Sequence, residues 1–542
     1  MSEQKKFLGW SLIRWSVQLV GALVIIVVVI VGTPLLLNNG PVNYTNIVEH
    51  FKYGSIGSEI VNGIPERIWK VLPTIFDDKL QEIADKAGYK YSDGGYQSLG
   101  FIYEEGKNLP IGFSERKNMG IEQVGLNCAV CHVGLVRDSK DSKPRIVEGM
   151  SANTLNLMGY IKFLSAIAVD ERFNSQQMMP YIEAQAENEG TTINPVEKLL
   201  YKFLVIPLTR EGLIRQRDRL AFVEEQPEWG PGRVDTFNPY KAIQFNFPMD
   251  KLEEKEKIGA SDFPVIWNQE PREGLQLHWD GNNDSVRERN LSAALGAGVT
   301  PAAVDLPGIK RVADWLCRYP YPQNYSGSLL NEEYYSDLDD RNVKTVLDYP
   351  YEINEQLAAK GKVIYKQNCL SCHSFSKNKP RQVEPIEKIG TDPFRFDSFT
   401  ETTLSNQNTL FAGIESSNYD ESCKGKIEEE NLRFKRFRKT NGYANMPLDW
   451  VWLRAPYLHN GSVPSLRDLL EKPENRPQVF YRGNDLFDRD KVGFISDVAE
   501  ENGRKYFKFD TDLDGNSNSG HYYGTALSPE EKEALVEYMK KL

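Results

Sequence analysis

The sequence predicts a mostly α-helical protein in which two tandem modules with long loops follow one N-terminal transmembrane helix. Three observations support this prediction: a long uncharged run near the N-terminus, a short cysteine–histidine pattern that occurs twice, and strand-like alternation that is sparse throughout. A chain of 542 residues is too long for one hydrophobic core, so more than one domain is expected.

The uncharged run predicts a membrane anchor. Val17–Leu37 contains no charged residue, and a helix of about 20 apolar residues crosses the hydrocarbon core of a bilayer. Because Lys5, Lys6 and Arg14 precede the run, the positive-inside rule leaves the short tail in the cytoplasm. We therefore predict a single-pass inner-membrane protein whose remaining chain lies in the periplasm. A cleaved signal peptide is the alternative, although no Ala-x-Ala-like site follows the run.

The overall charge argues against nucleic acid as a partner. The chain has 65 basic and 76 acidic residues, a formal net charge of −11, and no basic block. Proteins that bind nucleic acid usually present a basic patch that neutralises phosphates. We therefore expect none to bind here.

The repeated pattern is Cys-x-x-Cys-His, which occurs in GLNCAVCH and KQNCLSCH. Two cysteines at this spacing can form thioethers with the vinyl groups of one haem, and the adjacent histidine becomes an axial ligand. A thioredoxin-like pair needs no histidine, and a zinc site needs four ligands that close on one ion. The sequence therefore predicts two covalently bound haem c groups. The attachment residues are Cys128, Cys131 and His132 in the first copy and Cys369, Cys372 and His373 in the second.

The residues around the second copy favour a cytochrome c-like module. Ala358–Lys366 favours a helix that leads into the motif, with Gly361 and Tyr365 on one face. The last segment, Ser528–Leu542, begins with a capping box and carries an apolar stripe. Two such helices cross in cytochrome c modules, and Gly361 would allow a close approach. Residues Gly120–Val124 precede the first copy as a weaker version of the same arrangement.

A second repeat follows each haem motif. FPVIWNQEPREGLQLHWDGNN follows the first and MPLDWVWLRAPYLHNGS the second, so Trp279-Asp-Gly corresponds to His459-Asn-Gly. With these motifs the chain resembles the bacterial di-haem cytochrome c peroxidase superfamily, whose members carry WDG after the first haem site and PY(F/L)H(D/N)G after the second. The resemblance extends from about Gly120 to Leu542. APYLHNGSVPSL and GHYYG are most similar to the branch of rubber oxygenases and fatty-acid dioxygenases.

The resemblance implies roles for residues beyond the haem motifs. Trp279 would relay electrons between the haems, and Asn268 would help to bind an inter-haem calcium. The methionine that ligates the C-terminal haem iron in the peroxidases is missing, because Pro473 occupies its usual position. His521 is therefore expected as the sixth ligand and His459 as the alternative. His459 could instead donate a hydrogen bond to a haem propionate or to the backbone.

Two further features remain open at this stage. His521 also ends a stretch from Asp510 that imitates a calcium loop, but an EF-hand would have glutamate at that place. Cys317 and Cys423 either pair as a disulfide or each remain a lone thiol, and sequence does not decide between them.

The segment after WDG departs from the peroxidases. Counted from Trp279, their catalytic glutamate and glutamine would fall near Val299 and at Arg289, and neither residue type is present there. Splitting a peroxide requires an acid–base group within hydrogen-bond reach. The sequence LSAALGAG indicates an apolar pocket instead, which favours O2 or an organic substrate. Arg289 and His278 are the remaining candidates for a distal hydrogen-bond donor.

The predicted function is that of a di-haem c-type oxidoreductase. The N-terminal haem, held by His132, would activate O2 or peroxide, and the C-terminal haem, held by His373, would transfer electrons through Trp279. The expected partners are a small electron donor such as a cytochrome c or cupredoxin and a hydrophobic, lipid-like substrate. A peroxidase that reduces H2O2 and a non-enzymatic electron carrier are the alternatives.

The predicted domain boundaries follow from these motifs. Residues 1–40 form the tail and anchor, 41–318 the N-terminal haem module, 319–351 a joint and 352–542 the C-terminal cytochrome c module. The joint is rich in Pro, Gly, Ser, Asn and Asp, which are typical of loops.

Overall fold

The computed structural model describes residues 39–321, 344–375, 382–416, 423 and 431–542. Helix accounts for about 41% of these residues, and sheets occur as well. The prediction of a mostly α fold is therefore wrong. Most of the joint predicted at 319–351 lies outside the described residues.

The predicted membrane location also needs correction. Among the described residues, no helix is both long and apolar enough to cross a bilayer. The anchor predicted at Val17–Leu37 lies outside the described residues. The part of the chain that the structure describes therefore does not support the prediction of a single-pass inner-membrane protein.

The α-helices fall before and after the predicted joint. Those before it are Ile47–Tyr53, Ser58–Asn62, Glu66–Ile75, Asp77–Ala87, Leu157–Ala168, Ser175–Asn188, Pro195–Leu200, Ile206–Arg219, Asn238–Gln244, Val286–Gly296 and Leu306–Leu316. Those after it are Glu355–Asn368, Leu370–His373, Ile386–Ile389, Phe394–Asp397, Glu401–Gln407, Leu466–Leu469 and Pro529–Met539. Polar side chains cap several of them; Asn156, for example, accepts a hydrogen bond from the amide of Gly159.

The strands form small antiparallel sheets. One sheet has four strands in the order Gly40–Pro41, Phe113–Asn118, Ile121–Leu126 and Ile64–Pro65. The two-stranded sheets pair Val133–Val136 with Arg145–Glu148, Arg233–Asp235 with Ala260–Asp262, Val383–Pro385 with Gly442–Ala444, Val479–Arg482 with Phe507–Asp510, Phe487–Asp488 with Gly493–Phe494, and Glu500–Glu501 with Arg504–Lys505.

The approach to the first haem motif is a β-hairpin, where the sequence suggested a weak copy of the cytochrome c helix. Phe113–Asn118 pairs with Ile121–Leu126, and Met119 and Gly120 form the turn with φ angles of 49° and 79°. Two successive residues with positive φ are typical of a two-residue hairpin turn, which matches the twist of the strands. Gly120 is therefore a turn residue and not a helix contact.

One hydrophobic core joins the two halves of the chain. It contains Val136 and Trp267 from the N-terminal half together with Trp450, Trp452 and Leu535 from the C-terminal half. Two further clusters, around Leu291 and around Phe480, also contain residues of both halves, whereas the cluster around the Trp69 ring lies within the N-terminal half. The two predicted modules are thus packed into each other.

The disulfide left open by the sequence forms in the structure. Cys317, at the end of helix Leu306–Leu316, pairs with Cys423, and their Cα atoms are 5.6 Å apart. Cys128, Cys131, Cys369 and Cys372 remain free thiols. All four motif cysteines are therefore free to form thioethers.

The crossing of helices Glu355–Asn368 and Pro529–Met539 follows the cytochrome c expectation. A Cβ atom on Gly361 would lie 1.8 Å from the carbonyl oxygen of Ala534, so only glycine allows this approach. The Tyr365 and Tyr538 rings meet beside it, with centroids 5.3 Å apart. The predicted capping box of the second helix is also present at Ser528.

We predict that Gly361→Ala destabilises the protein by about 1–3 kcal/mol, because the added methyl group forces the two helices apart. The matched control is Gly212→Ala in helix Ile206–Arg219, where no atom lies within 4 Å of the new Cβ. That substitution should stabilise by about 0.5–1 kcal/mol. Chemical denaturation measures both, and equal effects would contradict the close helix crossing.

Candidate haem-binding sites

The second haem motif forms one helical turn at the end of helix Glu355–Asn368. The amides of Cys372 and His373 both bind the carbonyl oxygen of Cys369, at 3.0 Å each. His373 Nδ1 donates to the carbonyl oxygen of Met446 at 2.7 Å. This bond fixes the ring orientation and leaves Nε2 as the atom that can ligate a metal.

His521 lies opposite His373. Their ring centroids are 6.3 Å apart, and two imidazoles that share one metal ion have centroids about 6 Å apart, since each metal–nitrogen bond is about 2 Å long. The backbone amide of His521 binds the carbonyl oxygen of Ile389 at 2.9 Å. Arg476 donates to the carbonyl oxygens of Asn518, Gly520 and His521 and so fixes this loop. The separation is therefore compatible with a haem iron between the two rings.

Both rings are in the protonation state that ligation requires. Burial, the neighbouring His373 and the Arg476 guanidinium lower the pKa of His521 to about 3. Burial also lowers the pKa of His373. Both imidazoles are therefore neutral near pH 7, and neutral imidazole is the form that binds metals.

The first haem motif lies in a 3-10 turn, Cys128–Val130, between two strands. The Asn127 side chain caps this turn by accepting from the amide of Ala129 at 2.9 Å. Its Nδ2 donates to the carbonyl oxygens of Lys52 and Gly54. Asn127 thereby ties the motif to the end of helix Ile47–Tyr53.

His132 follows this turn and is partly buried. Burial and the nearby Arg289 lower its pKa to about 3, and the backbone of Pro264 opposes that shift. His132 Nδ1 makes no hydrogen bond of regular geometry. No ring contact joins His132 to another histidine within the described residues, which include all six histidines of the chain. The first site therefore differs from the second in having one imidazole.

The repeat that follows each haem motif has the same backbone in both copies. Pro264 lies four residues before Asn268 and Met446 four residues before Trp450, and both of the later residues have φ of 50°. The backbone of Pro264 faces His132, and the backbone of Met446 faces His373. Pro264 and Met446 are thus equivalent residues of the two copies.

The loops that end the two repeats also match. Leu277 bridges Asn283 in the first loop and Tyr457 bridges Val463 in the second. The loop glycines, Gly281 and Gly461, have φ angles of 65° and 63°. Ser285 and Ser465 then cap the helices that follow. Trp279 in the first loop is therefore equivalent to His459 in the second.

Asp262 links the two loops. Trp279 Nε1 donates to its carbonyl oxygen at 2.8 Å, and its amide donates to the carbonyl oxygen of His459 at 2.9 Å. Trp279 also packs against the cluster of Ile389, Phe396 and Tyr443. The carbonyl oxygen of Ile389 accepts from the His521 amide, so this cluster links the predicted relay residue to the segment that holds His521.

His278 and Arg289, the predicted distal donors, lie near each other and near the first motif. His278 Nδ1 binds Asn282 Oδ1 at 2.6 Å, and burial is the main cause that lowers its pKa to about 4. Burial and Arg272 lower the pKa of Arg289 to about 10, so Arg289 stays cationic at neutral pH. Its charge acts on both Cys128 and His132.

The surface that meets Cys128 is apolar. Cys128 packs against a cluster that includes Leu291, Ala294 and Leu295 of helix Val286–Gly296. Glu288 on the same helix is fully buried, and it accepts hydrogen bonds from Asn283 Nδ2 and the amides of residues 435 and 436. This carboxylate therefore holds a loop and is not free for proton transfer.

The surroundings of Asn268 do not fit a calcium site. Its Nδ2 donates to Asp449 at 3.2 Å, while its Oδ1 has no partner. Arg272 binds the Asp449 carboxylate at 2.5 Å, and Arg454 binds the same oxygen. Two guanidinium groups exceed the charge of one carboxylate and disfavour a hard cation that needs several oxygen ligands.

His459 does not lie opposite His373. Its ring stacks on Tyr443 with centroids 3.8 Å apart, and its Nε2 is buried without a partner. Burial lowers its pKa well below the ordinary value. No ring contact joins His459 to His373, whereas one joins His521 to His373. The geometry therefore favours His521 over His459 as a second imidazole at this site.

Sequence reasoning missed the supporting residues. Met446 and Asp262 act through their own backbone groups, and Arg476 binds the backbone carbonyls of other residues. The spacing of a sequence motif does not indicate such contacts. Arg272 and Arg454 lie within the two repeat sequences. The carboxylate that both bind belongs to Asp449, the aspartate of MPLDW in the second repeat, and nothing in the sequence indicates this pairing.

Comparisons with known proteins agree with a haem protein. Residues 442–481, which contain Met446 and His459, match the family described as RoxA-like, cytochrome c-like. The chain is 26% identical over 535 residues to the uncharacterized protein y4iJ of Sinorhizobium fredii (strain NBRC 101917 / NGR234), covering 82% of this chain and 84% of that protein. It is 28% identical over 281 residues to y4iM of the same strain, also uncharacterized, covering 48% and 56%. The RoxA-like match supports a relationship to di-haem cytochromes c and indicates a haem-containing oxidoreductase.

Proposed function

We propose that the protein is a haem-containing oxidoreductase with two unequal c-type haem sites. The first, at His132, activates O2 or peroxide, and the second, at His373, transfers electrons. One observation carries the proposal: a second imidazole lies opposite His373 at 6.3 Å, whereas no ring contact joins His132 to another histidine in the described chain. A bound haem supplies a redox-active iron that takes up ligands at a free axial position.

At the second site, His373 and His521 are the proposed axial ligands. The Met446 carbonyl orients the first ring, and Arg476 holds the loop that carries the second. Two fixed neutral imidazoles leave no position for a substrate, which suits a site that only exchanges electrons. Trp279, bound to Asp262 and packed against the cluster that contains Ile389, is the proposed connection to the first site.

At the first site, Arg289 is the proposed hydrogen-bond donor to a bound oxygen ligand. It remains protonated at neutral pH, and a guanidinium in a buried site stabilises developing negative charge. His278 is the weaker candidate, because its Nδ1 already binds Asn282. The chain's own contribution to the reaction is therefore a cationic donor at an apolar surface.

The apolar surface favours an oxygenase acting on a hydrophobic substrate. Leu291, Ala294 and Leu295 lie beside Cys128, and Glu288 is engaged in holding a loop. Peroxide cleavage needs an acid–base group that is free to move a proton, so peroxidase activity is the less favoured alternative. A small electron-transfer protein is the proposed electron donor.

We predict two covalently bound haems per chain. Denaturing electrophoresis with haem staining, together with the intact mass, measures their number. Cys128→Ala with Cys131→Ala should remove one haem, and Cys369→Ala with Cys372→Ala the other. Cys317→Ala with Cys423→Ala is the matched control, since these cysteines form a disulfide, and it should remove neither. Loss of both haems in one motif variant, with the protein folded, would contradict independent attachment.

We predict that the reduced protein binds carbon monoxide at one haem and that the other stays low-spin. His521→Ala should open the second haem to carbon monoxide because it removes the opposing imidazole. His50→Gln is the control for the loss of a histidine elsewhere in the chain, since the His50 ring binds the Gly308 carbonyl. Visible and EPR spectra report both states. A wild-type protein in which carbon monoxide changes neither haem would reject the proposed function in favour of an electron carrier.

We predict that Arg289→Leu lowers O2-dependent turnover about 100-fold, as loss of one preorganised donor does in other enzymes, and leaves the low-spin haem spectrum unchanged. Arg215→Leu is the control, because Arg215 is exposed and pairs only with Glu211. Oxygen uptake with unsaturated lipids measures the activity. Fast H2O2 reduction by wild type without any O2 uptake would instead identify a peroxidase.

A further inference from the structure

Within the described part of the chain, a group of buried hydrogen-bond donors has no partner. Arg395 is 3% exposed, and its Nε and Nη1 make no hydrogen bond, while Nη2 binds Asp280 at 3.3 Å. His459 Nε2, Thr391 Oγ1 and Asn445 Nδ2 are also without partners, and all three residues are less than a tenth exposed. Leaving such groups unbonded costs about 1–3 kcal/mol each, and more for charged groups. A ligand is therefore expected here.

Tyr443 shows that these donors belong to one site. Its ring stacks on His459, with centroids 3.8 Å apart, and its hydroxyl binds the carbonyl oxygen of Asp392, the residue after Thr391. Phe396, the residue after Arg395, packs against the same ring at 5.6 Å. The Arg395 charge also acts on His459.

The donor group borders the site of His373 and His521. Asn445 immediately precedes Met446, whose carbonyl accepts from His373 Nδ1. On the other side, a Cβ atom on Gly520 would meet the backbone of Thr391 at 2.5 Å, and His521 is the next residue. Two of the unpartnered donors, Asn445 and Thr391, thus lie next to the residue that accepts from His373 and next to the residue that precedes His521.

The donors define the chemistry of the ligand. A free guanidinium N–H of Arg395, the imidazole N–H of His459 and the Thr391 hydroxyl can each donate to a lone pair of a carboxylate. We propose that Arg395 and His459 bind a carboxylate group, and that this group is a propionate of the haem held at the C-terminal site. The inference rests on the proposed function only in requiring a haem at that site. It makes Arg395 a positioning residue and gives His459 a task other than ligation of iron.

The test is the reduction potential of the low-spin haem in Arg395→Gln, measured by spectroelectrochemistry. Without the guanidinium, the carboxylate charge is no longer balanced and stabilises the oxidised iron, so the potential should fall. We expect an approximately tenfold change in the oxidised-to-reduced ratio, which is about 59 mV for one electron. Arg395→Lys keeps the charge, so its potential should return most of the way to the wild-type value. His459→Asn should lower the potential, but by less than Arg395→Gln.

Two controls keep the outcomes distinct. Arg436→Gln removes the same charge from a side chain that is 56% exposed. It should change the oxidised-to-reduced ratio of the haem by less than about twofold. Thermal melting verifies that each variant is folded. An unchanged potential in Arg395→Gln, or a shift equal to that of Arg436→Gln, would overturn the proposal and leave ordered water as the occupant.

The carboxylate could also come from a free molecule, and a titration with octanoate tests this source. A propionate already in place leaves no room, so octanoate should not change the low-spin spectrum of the wild type. Saturable octanoate binding that Arg395→Gln abolishes would overturn the assignment to haem. The carbon monoxide reaction at the other haem is measured separately. Its absence would reject the proposed function without changing the expected effect of Arg395.

Discussion

The backbone of Asp262 holds the two halves of the candidate site in register. Its carbonyl oxygen accepts from Trp279 and its amide donates to the His459 carbonyl, so one peptide segment fixes both repeat loops. Its buried carboxylate pairs with Arg482 at 2.7 Å, and Arg482 also donates to the carbonyl of Gly461. Removing either partner would leave a buried charge, which is typically far more destabilising than losing a surface ion pair. This buried connection therefore helps to fix one repeat loop relative to the other.

The sequence predicted the parts of the site whose chemistry requires a particular residue type. Cys-x-x-Cys-His, the correspondence of Trp279 with His459 and the glycine at the Gly361 crossing all belong to this class, because few other residues can perform those tasks. The opposition of His521 to His373 was also expected, since the methionine that the resemblance implies is missing and His521 stands just before the last helix. Its role as a ligand remains a prediction.

The sequence-based prediction missed the first hairpin because charged residues obscure its alternating strand pattern. Residues 113–126 contain Glu115, Arg116, Lys117 and Glu122, whose side chains mask the alternation of a half-buried hairpin, and Met119 is an unusual turn residue. The charge around the implied calcium site was hidden for a different reason, because it is set by Arg272 and Arg454, which come from separate repeats. Local sequence patterns do not reveal such long-range pairing of Arg272 and Arg454 with Asp449. The N-terminal anchor was predicted from residues that the structure does not describe.

The shared backbone of the two repeat loops has a consequence for how such a protein can diversify. Both loops reach the same turn with a glycine near φ of 65° and a serine cap four residues later. The scaffold is therefore specified by glycine and serine, while the side chain at the position of Trp279 and His459 is left to vary. Descendants of one ancestral module could thus acquire an indole in one copy and an imidazole in the other, and so assign different tasks to two irons without a change of fold.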